Sequence, residues 1–312
     1  MKRVAVIGAG VMGRGIAELY ALGGLEVRLC DVGVEVLGAA ATRVRDDLSL
    51  LAAEGLVDAA EADAARGRIT FTPRLDEAVH GAGFVTEAIP ELLAPKQALF
   101  EQIEAEASPD AIIASNTSTL SIAQLAGRVR RPERMVITHF FNPAQLVPLV
   151  EVLAHPAAPP GVAEATLALM RRIGKRPVLL RREVPGFIAN RLQAALAREA
   201  FHLLEEGVAS AEEIDAAVTE GPGFRWAFVG PLAIADFGGL DTWQRVLDNL
   251  APVLDRATGA PAAVIERVRR GELGAKTGTG IFAYPPEELR RRIAERDWNF
   301  ARLLQLKRER PG

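Results

Sequence analysis

Apolar residues in this chain come first in short unbroken runs and then, past residue 184, only at helical spacing. Val4-Ala5-Val6-Ile7 is β-branched and apolar at successive positions, as a strand buried on both faces requires. Residues 26–30, 69–71, 84–88, 111–114, 135–138, 149–153 and 178–180 repeat that pattern. Between them lie helical stretches. Residues 14–22 form one. Residues 34–66 form an alanine-rich hairpin broken around Glu54-Gly55-Leu56. Residues 75–79 are a short helix, and residues 95–107 a longer one with Pro95 in its first turn. Short strands alternating with helices predict a doubly wound α/β domain.

The pattern changes at Glu183-Val184-Pro185-Gly186. Residues 187–206 read as one long amphipathic helix ended by Gly207, and Ser210-Ala211-Glu212-Glu213 resembles a capping box opening the next. Glycines and prolines between Gly221 and Gly239 mark turns between further helices, and residues 240–272 are helical with no assigned chemistry. The expected division is residues 1–184, a Rossmann-like doubly wound sheet with an inserted helical hairpin, and residues 185–312, an all-α domain.

The first strand is followed by Gly8-Ala9-Gly10-Val11-Met12-Gly13, a helix, a second strand and Asp31, which lies 18 residues after Gly13. Gly8 permits the tight turn, Gly10 leaves room for a pyrophosphate, and Gly13 lets helix and strand pack closely. Amides at the helix N-terminus hold phosphates. A carboxylate at Asp31 accepts from ribose hydroxyls and repels a 2′-phosphate, which favours NAD over NADP. Arg28 alternates to the other strand face and argues weakly the other way.

Charged residues are 25% and net charge is −3, so no strong field draws the chain to nucleic acid or an anionic membrane. No apolar run has transmembrane length, and the sequence opens without a signal-peptide pattern. Cys30 is the single cysteine. A reducing, cytoplasmic setting is expected, with a small-molecule substrate and no metal.

Three further stretches carry candidate chemistry. Ser115-Asn116-Thr117-Ser118 follows a predicted parallel strand, where open α/β sheets place ligands, although read alone it is equally an Asx/Ser turn. His139-Phe140-Phe141-Asn142-Pro143 follows another strand end. Glu151 stands in the apolar run Leu149-Val150-Glu151-Val152-Leu153, so its carboxylate needs a partner, and His139 is the obvious one. A carboxylate on one ring nitrogen fixes the tautomer and leaves the other as general base. Asn190 interrupts the apolar side of its helix, either to donate to a reacting oxygen or to make an interhelical polar contact.

Together these motifs resemble the L-3-hydroxyacyl-CoA dehydrogenase superfamily over nearly the whole chain. The resemblance implies His139 as catalytic base, Glu151 as the acid that orients it, and Ser118 and Asn190 on the substrate oxygen. It implies Glu91, Lys96 and Lys276 as cofactor contacts, NAD as cofactor, and a homodimer through the C-terminal domain. The implied reaction is reversible NAD-dependent oxidation of an L-3-hydroxyacyl-CoA to the 3-oxoacyl-CoA. The family's fatty-acyl members hold the CoA nucleotide with the hairpin after the second strand, typically through a lysine. Here no lysine occurs between Asp31 and Pro95, although Arg43, Arg45, Arg66 and Arg68 are present.

The stretch from Glu220 to Pro231 looks instead like the lambda-crystallin branch, which includes L-gulonate 3-dehydrogenase, and also like carnitine dehydrogenases; the charged tail of residues 286–310 resembles the lambda-crystallin branch. That likeness keeps open a free polar 3-hydroxy acid as substrate, or a structural role. Arg225 is then either a clamp for a substrate carboxylate or a surface arginine packed on Trp226.

Overall fold

The computed structural model describes residues 1–309, so Arg310, the last position of the expected tail, lies outside the described residues. The chain separates into two compact units, Met1–Ile188 together with the chain from Asp297, and Ala189–Arg296.

In the first unit β1 (Arg3–Ile7), α1 (Val11–Leu22) and β2 (Glu26–Cys30) are followed by the hairpin of α2 (Val34–Ala53) and α3 (Ala59–Gly67). Then come β3 (Ile69–Thr72), α4 (Leu75–Val79), β4 (Phe84–Glu87), α5 (Leu93–Glu106), β5 (Ile112–Ser115) and α6 (Ile122–Leu125). β6 (Met135–Phe140), β7 (Leu149–Ala154), α7 (Pro160–Arg172) and β8 (Arg176–Leu179) complete it. The strands form one eight-stranded sheet in the order β3-β2-β1-β4-β5-β6-β7-β8. Alternation along the strands feeds both faces: Val4 and Val6 enter one core cluster with Ile16 and Tyr20, Ala5 and Ile7 the other with Phe100 and Ile103. A sheet covered on both faces has continuous apolar strands, which is why the runs do not alternate with polar residues.

All neighbouring strands are parallel except β6 and β7. Residues 141–148 are too short for a crossover, which needs about a dozen residues or more, so the chain must turn back antiparallel. This pairing extends β6 to Phe140 and places His139 within the strand, not beyond its end as the sequence suggested. The long helix also starts later than Phe187. Gly186 and Phe187 have φ of 76° and 53°, a left-handed pair incompatible with helix, and the Phe187 ring is buried in the core instead.

The second unit contains α8 (Ala189–Glu205), α9 (Ala211–Glu220), α10 (Pro222–Trp226), α11 (Pro231–Gly238), α12 (Leu240–Leu250) and α13 (Ala262–Arg269), with the start of α14 (Pro286–Glu309). Ser210 and Glu213 form the anticipated capping box. None of its residues is buried. The far half of α14 belongs to the first unit, whereas the sequence reading kept the entire tail with the helical domain. The reason is apolar: Ala301 and Leu304 are buried in the first unit's core. Gln305 donates to Glu54 O at 2.7 Å and Arg308 to Leu56 O at 3.0 Å, satisfying carbonyls at the hairpin turn. No described helix is long and apolar enough to cross a membrane.

Candidate active site

The glycine turn is closed by contacts that no side chain would permit. A Cβ on Gly13 would stand 1.8 Å from Gly8 O, and one on Gly8, whose φ is +105°, would stand 2.6 Å from Ala88 O. A Cβ on Gly10 would meet nothing within 4 Å. Gly10 supplies no side-chain cap to α1, whose first-turn amides therefore face outward for an anion. Asp31 ends β2 and holds the turn in place, Oδ2 accepting from Ala9 N at 2.9 Å and Oδ1 from Gly33 N at 3.1 Å. Each carboxylate oxygen retains a second lone pair for a ribose hydroxyl. Arg28 donates to the carbonyls of Glu77 and His80 and so is held against α4. This cradle fits the pyrophosphate and adenosine ribose of NAD.

Beside it, the ends of β4 and β5 carry a buried ionic network. Glu87 is fully buried, with Oε1 accepting from Lys96 Nζ at 2.5 Å and Ile89 N at 2.7 Å, and Oε2 from Ser115 Oγ at 2.6 Å. Burial pushes its carboxyl up, against the pull of Lys96, Ser115 and the Ile89 amide. Glu91 Oε1 accepts from Thr117 Oγ1 at 2.6 Å and from the Ser118 and Thr119 amides at 2.9 Å, and Lys96 Nζ stands 3.3 Å from Oε2. Burial would raise this carboxyl too, but the hydrogen bonds and Lys96 outweigh it and bring it down to about 2. Lys96, expected as a cofactor contact, is only 1% exposed. It has no surface to offer a ligand and acts as the brace beneath Glu87 and Glu91. Ser118 is half-buried, and its hydroxyl has no partner among the described residues. Sequence reasoning missed Glu87 and Asn116. An acid ending the apolar run of β4 was the available signal for Glu87.

β6 and β7 bring His139 and Glu151 directly opposite each other in the antiparallel register. Nδ1 of His139 donates to Glu151 Oε2 at 2.9 Å, with both side chains under 5% exposed. Glu151 Oε1 accepts from Ile188 N at 2.8 Å. The imidazole lies against Phe141 and Phe187, with ring centroids 4.5 and 5.2 Å away. One nitrogen is thereby fixed as donor to a carboxylate, which assigns acceptor character to Nε2 in the neutral ring. Asn116 Oδ1 accepts from Phe140 N at 2.9 Å, tying the stretch that contains Ser118 to the strand that contains His139.

Three expected residues belong to the second unit. Asn190 is the second residue of α8, half-buried, with its amide side chain unpartnered among the described residues. Arg225, on α10, is exposed and makes no ion pair or ring contact there, so it does not stack on Trp226. Lys276 is exposed in a loop closed by the Gly274–Thr279 bridge.

Two family models match the chain: "3-hydroxyacyl-CoA dehydrogenase, NAD binding domain" over residues 3–184 and "3-hydroxyacyl-CoA dehydrogenase, C-terminal domain" over residues 186–284. The 5-formyl-3-hydroxy-2-methylpyridine 4-carboxylate 5-dehydrogenase of Mesorhizobium japonicum is 37% identical over 95% of each chain. The L-carnitine dehydrogenase of Burkholderia mallei is 39% identical over 86% of this chain and 84% of its own. The probable 3-hydroxybutyryl-CoA dehydrogenase of Bacillus subtilis is 36% identical over 91% of this chain and 98% of its own. Among solved structures, a 5-formyl-3-hydroxy-2-methylpyridine 4-carboxylic acid 5-dehydrogenase, described as an NAD+ dependent dismutase, superposes with a TM-score of 0.93 at 34% identity, covering all of both chains.

Proposed function

Because the chain belongs to the 3-hydroxyacyl-CoA dehydrogenase family, we propose that its NAD-linked oxidation of a CH–OH carbon serves a small free carboxylate, not a CoA ester. It is an NAD-dependent oxidoreductase with a Rossmann domain. When bound, NAD supplies the hydride acceptor.

In this reading His139 Nε2 takes the substrate hydroxyl proton as hydride leaves the same carbon. Glu151 holds Nδ1–H and stabilises the imidazolium that forms. Ser118 donates to the reacting oxygen, and the family resemblance gives Asn190 the same role. The aromatic rings of Phe141 and Phe187 shield the imidazole from water. Glu91 contributes to the cofactor site through a carboxylate that stays ionised at every working pH. In reduction His139 returns the proton.

The observation that carries the substrate reading is the charge of the hairpin. Residues 34–68 hold seven carboxylates against four arginines and no lysine. Arg45 pairs with Asp46, Arg66 with Asp63, and Arg68 donates to Ala21 O, while Arg43 is exposed with no ion pair among the described residues. Arg14 from α1 pairs with Asp47 and Arg308 sits at the hairpin turn, which reduces the hairpin's negative charge without reversing it, so a CoA nucleotide, with its several phosphate charges, would meet no positive surface there. Arg225 has no counter-ion among the described residues, and a bidentate guanidinium suits a free carboxylate. The relatives acting on a pyridine carboxylate and on carnitine support the same side.

The CoA-ester reading has support from the Bacillus relative and from the Ser115–Ser118 and His139–Pro143 stretches. NADH formation decides, measured with L-3-hydroxybutyryl-CoA, L-3-hydroxybutyrate, L-carnitine and L-gulonate, in the wild type and Arg225→Ala. Turnover of a free acid that falls at least tenfold with Arg225→Ala supports the proposal. Turnover of the CoA ester alone, insensitive to Arg225, overturns it.

The second unit is proposed to pair with a second copy of the chain, which would cover its open apolar positions. Phe237 and Leu232 are both more than four-fifths exposed.

A further inference from the structure

Residues 141–148, the short connection between His139 and Glu151, lie against a buried lysine that has no role in the chemistry described above. Lys175, immediately before β8, is 7% exposed, and its ammonium donates to Ala144 O and, at 2.7 Å, to Val147 O. Two other carbonyls of the connection are held by backbone: Pro143 O by the Leu146 and Val147 amides, Pro148 O by Arg176 N at 2.8 Å. Lys175 therefore supplies donors to two carbonyls of a segment that has no ladder of its own. A second grip comes from α1, where Glu18 is fully buried and accepts from the Gln145 side chain.

The lysine is chemically unusual. Its acceptors are neutral carbonyls, and no carboxylate among the described residues pairs with it. The charged group facing it from α14 is Arg308, a like charge; Glu18 lies across Gln145 and is itself pushed up by burial and by Asp47. Burial, then Arg308, lowers the ammonium to about 7. A methionine would fill this place with no desolvation cost. The two carbonyl bonds are what a cation with several donors supplies there and an apolar side chain does not.

We infer that Lys175 is a positioning residue for the His139–Glu151 pair: by fixing Ala144 and Val147 it holds the turn that keeps the two residues in register. This rests on the reading of that pair as the catalytic dyad. A connection free to shift by a fraction of an ångström would displace Phe141 and the start of β7 together, loosening the Nδ1–Oε2 contact although neither partner had changed.

The experiment uses the full-length protein in Lys175→Met, Lys175→Gln and Glu151→Gln forms. The signature is the downfield proton resonance of the His139 Nδ1–H bonded to a carboxylate, identified by its upfield shift in Glu151→Gln, where the acceptor is a neutral amide oxygen. Alongside it run thermal unfolding and NADH formation from whichever of L-carnitine or L-3-hydroxybutyryl-CoA the wild type oxidises. We expect Lys175→Met to broaden the resonance beyond detection and lower kcat at least tenfold, with KM for NAD within twofold. Lys175→Gln, which retains a neutral donor, should fall between Met and wild type in both readouts. A lysine that merely stabilised the fold would lower the melting temperature in both variants and leave resonance and kcat alone, which overturns the inference. Should Lys175→Met not fold, Lys175→Gln decides, and wild-type resonance and kcat in it count against the proposal. If Glu151→Gln keeps full turnover, the dyad reading has failed; loss there with no loss in the Lys175 variants rejects the positioning role alone.

Discussion

Asn116 and Phe140 are joined by a hydrogen bond of 2.9 Å from the Phe140 amide to the Asn116 side-chain oxygen. It links the loop after β5, which carries Ser118, to the strand that carries His139. Asn116 N in turn donates to Glu87 O, so three strand ends are connected through one residue.

Asn116→Ala would leave the Phe140 amide without an acceptor beside a buried side chain. Such a loss costs about 1–3 kcal/mol. Urea unfolding should show it, and Asn116→Asp, which retains the acceptor, should recover most of the difference. Equal losses in both variants would mean that the side chain acts through packing and not through this bond.

Gly10 and Gly13 predict opposite failures. Gly13→Ala drives a Cβ to 1.8 Å from backbone, so the β1–α1 packing must shift, and both stability and NAD affinity should fall. Gly10 has φ −68° and open space beyond, so Gly10→Ala should unfold at the wild-type temperature. Its methyl group would stand where the pyrophosphate approaches, weakening NAD about tenfold or more by calorimetric titration, roughly 1.4 kcal/mol. Unchanged affinity in Gly10→Ala would place the phosphates elsewhere.

Much of this geometry was legible in the residues because period and motif report local structure. The eight apolar runs are the eight strands, and Gly55, with φ of +67°, marks the hairpin turn where the helical pattern breaks. Pairing direction was not legible in the runs themselves, since a strand buried on both faces looks alike in either sense. The brevity of residues 141–148 decides it. Lys96 misled because motif resemblance gives proximity to a cofactor without saying whether the ammonium reaches the surface. The Lys175 contacts were hidden for another reason: backbone carbonyls carry no sequence signal.

Lys175 also predicts a sign for stability against pH. Its proton is bound more weakly in the folded chain, at about 7, than in the unfolded chain near its ordinary value. The unfolded state therefore binds more protons above pH 7, and stability rises with pH there, by up to about 1.4 kcal/mol per unit. The window to use is pH 7 to 8.5, below the range where Cys30 counts with opposite sign, its thiol being pushed up to about 11 by burial and then Asp31. Denaturant midpoints of the wild type should climb across that window relative to Lys175→Met. Parallel curves for the two proteins would contradict the weakened proton binding.

Glu151→Gln retains shape and an oxygen acceptor for Nδ1–H but removes the charge that offsets an imidazolium. General-base assistance of this kind contributes roughly 10²–10⁴-fold. The variant should lose at least 10²-fold in kcat by that measure, with NAD affinity held within twofold, because the glycine turn and Asp31 are untouched. A kcat near wild type would leave Glu151 as a structural partner of His139 and the Ile188 amide.

The second unit makes the last prediction. Among Ala189–Arg296 no residue is buried, while the first unit buries residues on both sheet faces. Helices fold stably by burying an apolar stripe, and α12 presents Leu240, Leu247 and Leu250 at helical spacing, all about half-exposed or more. Apolar surface of that extent is what contact with a second copy of the chain, as proposed above, would cover. At micromolar concentration the protein should sediment as a dimer, and its melting temperature should rise with concentration. The double variant Leu232→Glu, Phe237→Glu should shift it to monomer and lower the melting temperature. It should still bind NAD, because the glycine turn and Asp31 belong to the first unit. A wild-type monomer with a concentration-independent transition would reject the second copy as what covers these helices.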